Sequence, residues 1–240
     1  METSRRIYKS NRRVRVGDCN SKGKLRLDAI ACYLQDVGFD DTNDLGLGDG
    51  GIWVARAIEI TNKTESEKLW PSRNDDVEIE TYCGGAGRVS AQRNVNIFLK
   101  DKLAIETKTV WVSLDGNFKP CPIPKWLNEK YPNTQKISSK RTLSFSPTED
   151  EKTNGNSFVF KVRSSDIDIN NHANNAFAFD VLNEASILCG VETFSRANIE
   201  YHKPIGFKDE LKVYVSKSDR EFKAWIYTRD NIACSMLWVN

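Results

Sequence analysis

Asp168, Asn170 and His172 alternate with other residues in the segment SSDIDINNHANNA. On extended backbone that spacing puts all three side chains on one side. The residue types suit hydrolysis of an acyl group. An imidazole with a reference pKa of about 6.5 can take a proton from water. Asp168 or Asn170 can fix its tautomer or hold the water. The cluster runs into Asn174 and Asn175, which are good N-cap residues. A helix starting there would turn free backbone N–H groups, and the positive end of its dipole, toward a carbonyl oxygen that is gaining charge. A plainer reading competes: an Asx-rich turn whose side chains only cap the helix. The residues alone leave both open.

Positioning such a cluster needs a rigid frame. The stretch from Asn174 to Cys189, closed by Gly190, has helical spacing and is apolar nearly all round, through Ala176, Phe177, Phe179, Val181, Leu182, Ile187 and Leu188. That predicts burial on most sides, with Glu184 inside it in need of a partner. Strand-like runs follow at Arg196 to Lys203, Leu211 to Val215, Phe222 to Thr228 and Ile232 to Val239. The first half has the same plan. A strand through Val14 and Val16 leads to a helix on Leu27, Ile30, Leu34 and Val37, with Gly38 as its expected end. Ile52, Val54, Arg56, Ile58 and Ile60 are expected to share one strand face. Further strands center on Val77 and Val95, and a turn at Asp101-Lys102 joins the last of these to a strand from Leu103 to Leu114.

One helix and a run of strands, twice, predicts an α+β fold and excludes alternating βαβ units. The expected division is a first domain at 1–128, a linker at 129–156 and a second domain at 157–240. VRVGDCNSKGKLRLDAI, from Val14, overlays VRSSDIDINNHANNAFA, from Val162, at an offset of 148. The overlay pairs Asp18 with Asp166 and Leu34 with Leu182, which suggests duplication. Opposite Asp168, Asn170 and His172 stand Asn20, Lys22 and Lys24. The first half therefore lacks the constellation.

Composition narrows the classes. A formal net charge of +2 gives no cause to expect nucleic acid. No apolar run reaches bilayer length, and METSRRIYKSNRR has no apolar core of a secretory signal; a cytoplasmic protein is expected. The six cysteines form no C-x-x-C pair, and there are two histidines. Reduced thiols are expected, with neither metal nor cofactor. Arg5, Arg6, Lys9, Arg12, Arg13 and Arg15 form a basic run. It could meet an acidic partner or a phosphate, or be a solvated edge strand with protective charges.

Nearly the whole chain resembles the plant and bacterial acyl-acyl-carrier-protein thioesterases. That family's D-x-N-x-H-x-N-N signature reads here from Asp168 to Asn175. VRVGDCNSKGKLRLDAIACYLQD, GDGGIWVARAIEI, VEIETYCGGAGRVSAQRNVNIF with Arg93, and TKTVWVSLDGNFKPCPIP match first-half motifs in order. The resemblance implies a tandem hotdog fold, each half a long helix wrapped by an antiparallel sheet. It implies hydrolysis of thioesters on acyl carrier protein, a catalytic second half holding Asp168, Asn170 and His172, and a first half that selects the acyl chain. It implies a monomer or homodimer. The chain departs from the plant E-Y-x-x-E-C-G string, whose later Glu and Cys carry catalytic roles in that family. Pro204 and Ile205 stand in their places, so a cysteine nucleophile there is excluded, and direct attack by water or by the Asp168 carboxylate is expected. Glu200 is a candidate auxiliary carboxylate. The rival functions are an acyl-CoA thioesterase, a hotdog dehydratase and a non-catalytic acyl-binding protein.

Overall fold

The computed structural model describes residues 5–48, 51–66, 69–132, 135–139, 146–154, 156–191, 194–229 and 231–239. The chain divides into two compact units, residues 1–140 and 141–240. Part of the expected linker, at 133–134, 140–145 and 155, lies outside the described residues.

In the first unit β1 (Tyr8–Arg13) leads through a 3-10 turn (Val16–Asp18) into α1 (Leu27–Asp44). Then come β2 (Ile52–Asn62), β3 (Asp76–Ala86), β4 (Ser90–Leu99), β5 (Lys102–Leu114) and α2 (Lys125–Lys130). The strands lie in the order β1-β3-β4-β5-β2, every neighbour antiparallel. α1 buries Leu27, Ile30, Leu34 and Val37, one stripe of a 3.6-residue period. Ile30 is fully buried, as are Ile58, Ile79, Ile97 and Ile105 on the strands. Each such side chain contributes about 1.5–3 kcal/mol of transfer free energy.

Four local expectations are corrected. The first strand lies upstream of Val14 and Val16, because pairing with β3 ends at Arg13 opposite Asp76. Gly38 does not end α1; it lies inside the helix, where a Cβ would stand 3.5 Å from Arg93 Cδ. Ile52 and Val54 do not share a face with Ile58 and Ile60. A bulge between Ala55 and Ala57 adds one residue and flips the alternation, so Ile58 and Ile60 are buried while Ile52 and Val54 are exposed. The β4–β5 turn falls on Lys100 and Asp101, both left-handed at φ 51° and 61°, as a two-residue hairpin requires.

The second unit holds α3 (Glu149–Asn154), β6 (Asn156–Lys161), a 3-10 turn (Ser164–Asp166) and α4 (Asn175–Leu188). β7 (Arg196–Tyr201), β8 (Glu210–Lys217), β9 (Glu221–Thr228) and β10 (Asn231–Val239) follow. Their order is β6-β8-β9-β10-β7, all antiparallel. α4 buries Ala176 to Phe179, Val181, Leu182 and Ala185, but Glu184, Ile187 and Leu188 are exposed. The expectation of burial nearly all round is thus corrected: only the sheet-facing side and the first turns are covered. Gly190, at φ 68°, closes the helix.

The two units repeat one topology: strand, helix, four strands, paired as first-third-fourth-fifth-second. The starts of α1 and α4, at Leu27 and Asn175, stand 148 apart. The same spacing relates the 3-10 turns, the bridges Cys19–Leu25 and Ile167–Ala173, and the left-handed residues Gly23 and Asn171. Among the described residues no helix is long and apolar enough to cross a membrane.

Most of the basic N-terminal run is matched by the chain's own carboxylates. Arg6 reaches Asp41 and Asp44 at 3.0 and 2.6 Å, and Lys9 reaches Glu78 and Glu80 at 3.3 and 2.6 Å. Arg12 pairs with Asp40, and Arg15 with Asp18 at 3.4 Å. These cations tie an edge strand down.

Candidate active site

The joint between β6 and α4 is anchored at Asp166. Its carboxylate accepts from the Arg163 backbone N–H at 2.7 Å and from the Arg163 guanidinium at 2.7 Å. Its carbonyl accepts from Asn174 N–H at 2.9 Å. Burial works to raise this carboxyl, but the Arg163 contacts outweigh it and hold it below the usual carboxylate range.

From that anchor the chain makes a tight loop. Asp168 N–H donates to the His172 carbonyl at 2.9 Å, and Asn171 N–H to the Asp168 carbonyl at 3.1 Å. Asn171 is left-handed at φ 59°, a conformation that asparagine tolerates. Asp168 Oδ1 accepts the Asn170 N–H at 2.8 Å, an Asx turn. The segment is therefore a turn and not extended, so the side chains of Asp168, Asn170 and His172 are not aligned by strand alternation. Asp168 is half-buried, while Asn170 and His172 are exposed. Among the described residues neither Asn170 nor His172 makes a side-chain hydrogen bond.

His172 lies two residues before the helix cap. Asn174 is the N-cap of α4, and its Oδ1 accepts Ala176 N–H at 2.9 Å. Phe177 N–H donates to the Asn174 carbonyl at 2.9 Å. The Asn175 N–H is the amide of this first turn that remains for a ligand among the described residues. Tyr201, on β7, donates its hydroxyl to the Asn175 carbonyl at 2.8 Å and so pins that residue. Burial pushes the Tyr201 phenol well above its ordinary range, which keeps it a neutral donor. Sequence reasoning missed Tyr201; the one signal was its place in the EY pair after the second helix.

Glu200 is fully buried opposite Ser235 on β10. Strand alternation sends it to the face of β7 opposite Tyr201. The structure thus gathers Asp168, Asn170, His172, Asn174 and Asn175 at one loop–helix joint and turns Glu200 the other way. The Pro204–Ile205 segment does adjoin the loop, because Ala173 N–H donates to the Ile205 carbonyl at 2.7 Å. Ile205 is buried. Cys234, on β10, is fully buried, and burial pushes its thiol up to about 12. Such a thiol is an inert core group. A surface cleft of about 590 Å³ lies in the first unit beside Arg12, Arg13, Asp76, Glu78 and Lys100, and holds none of the candidate residues.

The matching joint in the first unit has the same backbone. Asn20 N–H donates to the Lys24 carbonyl at 2.8 Å, Gly23 N–H to the Asn20 carbonyl at 2.9 Å, and Arg26 N–H to the Asp18 carbonyl at 2.9 Å. Asn20 Oδ1 accepts from Lys22 and Lys24 N–H, both at 3.0 Å. Asp18 accepts the Tyr33 hydroxyl at 2.7 Å. Burial again works to raise this carboxyl, and the Tyr33 and Arg15 bonds outweigh it. At the cap stands Arg26, whose guanidinium grips Asp28 at 2.7 Å and the carbonyls of Gly17 and Cys19 at 2.9 Å.

Two helix-and-sheet units of one topology, the second with an imidazole loop at its helix tip, define a protein of the double hotdog class. Comparison with known proteins then places it. Residues 5–131 match the acyl-ACP thioesterase N-terminal domain and residues 149–235 the acyl-ACP thioesterase C-terminal domain. The chain belongs to the acyl-ACP thioesterase family. It is 23% identical over 239 residues to an uncharacterized protein of Mycobacterium tuberculosis, covering 96% of this chain and 91% of that one. It is 25% identical over 193 residues to oleoyl-acyl carrier protein thioesterase 1, chloroplastic, of Arabidopsis thaliana, covering 70% and 51%. The crystal structure of an acyl-ACP thioesterase from Bacteroides thetaiotaomicron superposes with a TM-score of 0.80 at 18% identity, over 97% of each chain.

Proposed function

We propose that this chain hydrolyses fatty acyl-acyl carrier protein thioesters to free fatty acid and holo-carrier protein. The reading assigns catalysis to the second domain, 157–240, and acyl-chain selection to the first, 1–128. It belongs with fatty acid biosynthesis in the cytoplasm. His172 takes a proton from water, and Asp168 or Asn170 orients the water or the ring. The hydroxide adds to the thioester carbonyl. The resulting oxyanion is met by the α4 tip around Asn174 and Asn175, where the helix dipole favors negative charge. The tetrahedral intermediate expels the carrier thiolate, which takes the proton from His172. Glu200, the candidate auxiliary carboxylate, lies on the other face of β7 and takes no step in this reading.

One observation carries the reading. The same loop backbone is built twice, and only the second copy sets an exposed histidine two residues before an asparagine-capped helix tip. The buried Ile205 beside the loop favors a second reading, a protein that binds acyl thioesters without cleaving them. The deciding experiment presents one saturated acyl group on acyl carrier protein and on coenzyme A and measures free thiol and free acid. The proposal expects release, faster from the carrier protein. Faster release from coenzyme A would make it an acyl-CoA thioesterase. Binding without release would establish the second reading.

A further inference from the structure

The loop from Ile205 to Asp209 lies beside the candidate loop. Ala173 N–H donates to the Ile205 carbonyl at 2.7 Å, and Val162 N–H to the Asp209 carbonyl at 3.1 Å. Gly206 N–H donates to Asp209 Oδ2 at 2.8 Å, and Lys208 is left-handed at φ 69°. The first unit builds the same loop at Pro71 to Asp75. There Leu25 N–H donates to the Pro71 carbonyl and Val14 N–H to the Asp75 carbonyl, both at 2.9 Å. Ser72 N–H donates to Asp75 Oδ2 at 2.9 Å, and Asn74 has φ 70°.

With the backbone held constant, the side chains can be compared place by place. The first unit exposes Ser21 and Arg73 at the two loop tips. The second exposes Ile169, at 94%, and Phe207, at 53%. Nothing in the shared backbone requires apolar residues there, since the first unit manages with polar ones. Apolar residues exposed together on adjoining loops mark an interaction site. Cations border the pair. Lys208 sits over the Phe207 ring at 5.4 Å. Arg163, two-thirds exposed, and Lys203 are on the flanking segments.

The geometry points to Ile169, Phe207 and Lys208 as a docking surface for the acidic carrier protein that delivers the thioester. This rests on the hydrolase reading and adds the partner's footprint to it. An apolar pair with an ammonium beside it fits a partner that shows both apolar and carboxylate groups around its arm. A coenzyme A thioester brings the same pantetheine arm with no protein attached, so it isolates the protein contact.

The test replaces the apolar residues by a small polar one, Ile169→Ser and Phe207→Ser, with Phe207→Leu as the conservative variant. Ile169, Phe207 and Lys208 are exposed, so unchanged melting temperatures are expected. The readout is the ratio of kcat/KM for an acyl group on carrier protein to that for the same group on coenzyme A. Phe207→Ser is expected to lower this ratio at least about tenfold, through KM for the carrier substrate, with a smaller loss for Ile169→Ser, and Phe207→Leu to retain most of it. Lys208→Glu is expected to lower it further as salt is reduced. Equal losses on both substrates, or no loss, would overturn the proposal. If wild type releases acid from neither substrate, the hydrolase reading fails. Direct titration of holo-carrier protein against wild type and Phe207→Ser then judges the surface by itself: equal affinities would overturn it.

Discussion

Asn20 and Asp168 hold the same place in the two units. Each accepts the amide two residues on, at 3.0 and 2.8 Å, and each begins a loop closed by a left-handed residue. The Asx turn is thus a property of the fold and not of catalysis. What separates the loops is what they carry: Lys22 and a half-buried Lys24 bonded to Ser72 at 3.1 Å in one, the exposed Asn170 and His172 in the other. The caps differ as well. Arg26 spends its guanidinium on Asp28 and two carbonyls, whereas Asn174 caps α4 with a neutral amide. An acidic first turn in α1 opposes a developing oxyanion, and α4 has no acidic residue there. A duplicated scaffold has kept its turns and changed its chemistry.

The helices also end differently. α1 has 18 residues and α4 has 14. In the extra turn of α1, Asp41 is fully buried and accepts Arg93 at 2.7 Å, the Tyr131 hydroxyl at 2.5 Å and Arg6 at 3.0 Å. Burial pushes the Tyr131 phenol up to about 12, so it remains a donor. Its counterpart by the 148 spacing is Cys189, at the C-cap of α4.

The contrast can be broken most sharply there. Asp41→Ala removes the buried carboxylate that Arg93, Arg6 and Tyr131 share and is expected to cost about 3–5 kcal/mol of unfolding free energy in a urea titration. Cys189→Ala should stay within about 1 kcal/mol. Equal costs would mean that the two helix ends are held alike. A smaller effect belongs to the caps. Asn174→Ala is expected to cost about 1 kcal/mol and Asn174→Ser to recover most of it. The smallest effect is shared by both units. Asp18 and Asp166 stay charged in the fold to a lower pH than in the unfolded chain. Their stabilisation is in place above about pH 4, the ordinary aspartate range, and is lost as pH falls through the folded values. Melting temperature should therefore drop below pH 4, and the Asp18→Asn/Asp166→Asn variant should show a shallower drop. An unchanged slope would remove both carboxyls from the account.

Much of this was legible in the residues. The N-cap asparagines marked the start of α4, and the Val-Arg and Asp matches revealed the repeat. The Asx-rich turn at Asp168 to His172 was legible as one of two readings; the residues did not show that a left-handed Asn171 would rule out the extended one. The bulge after Ala55 was not legible, since an added residue leaves no compositional mark. The Asp41 cluster joins residues from Arg6 to Tyr131, so only folding brings its members together. Tyr201 escaped notice for the same reason: its hydroxyl finds Asn175 across the sheet–helix interface.

The central claim is that the second loop alone does chemistry, through its imidazole. The most direct measurement is kcat for release of free acid from acyl carrier protein by wild type, His172→Ala and Lys24→Ala, with melting temperatures in parallel. The account predicts a loss of about two to four orders of magnitude for His172→Ala, none for Lys24→Ala, and folded protein throughout. Wild-type turnover by folded His172→Ala would contradict it.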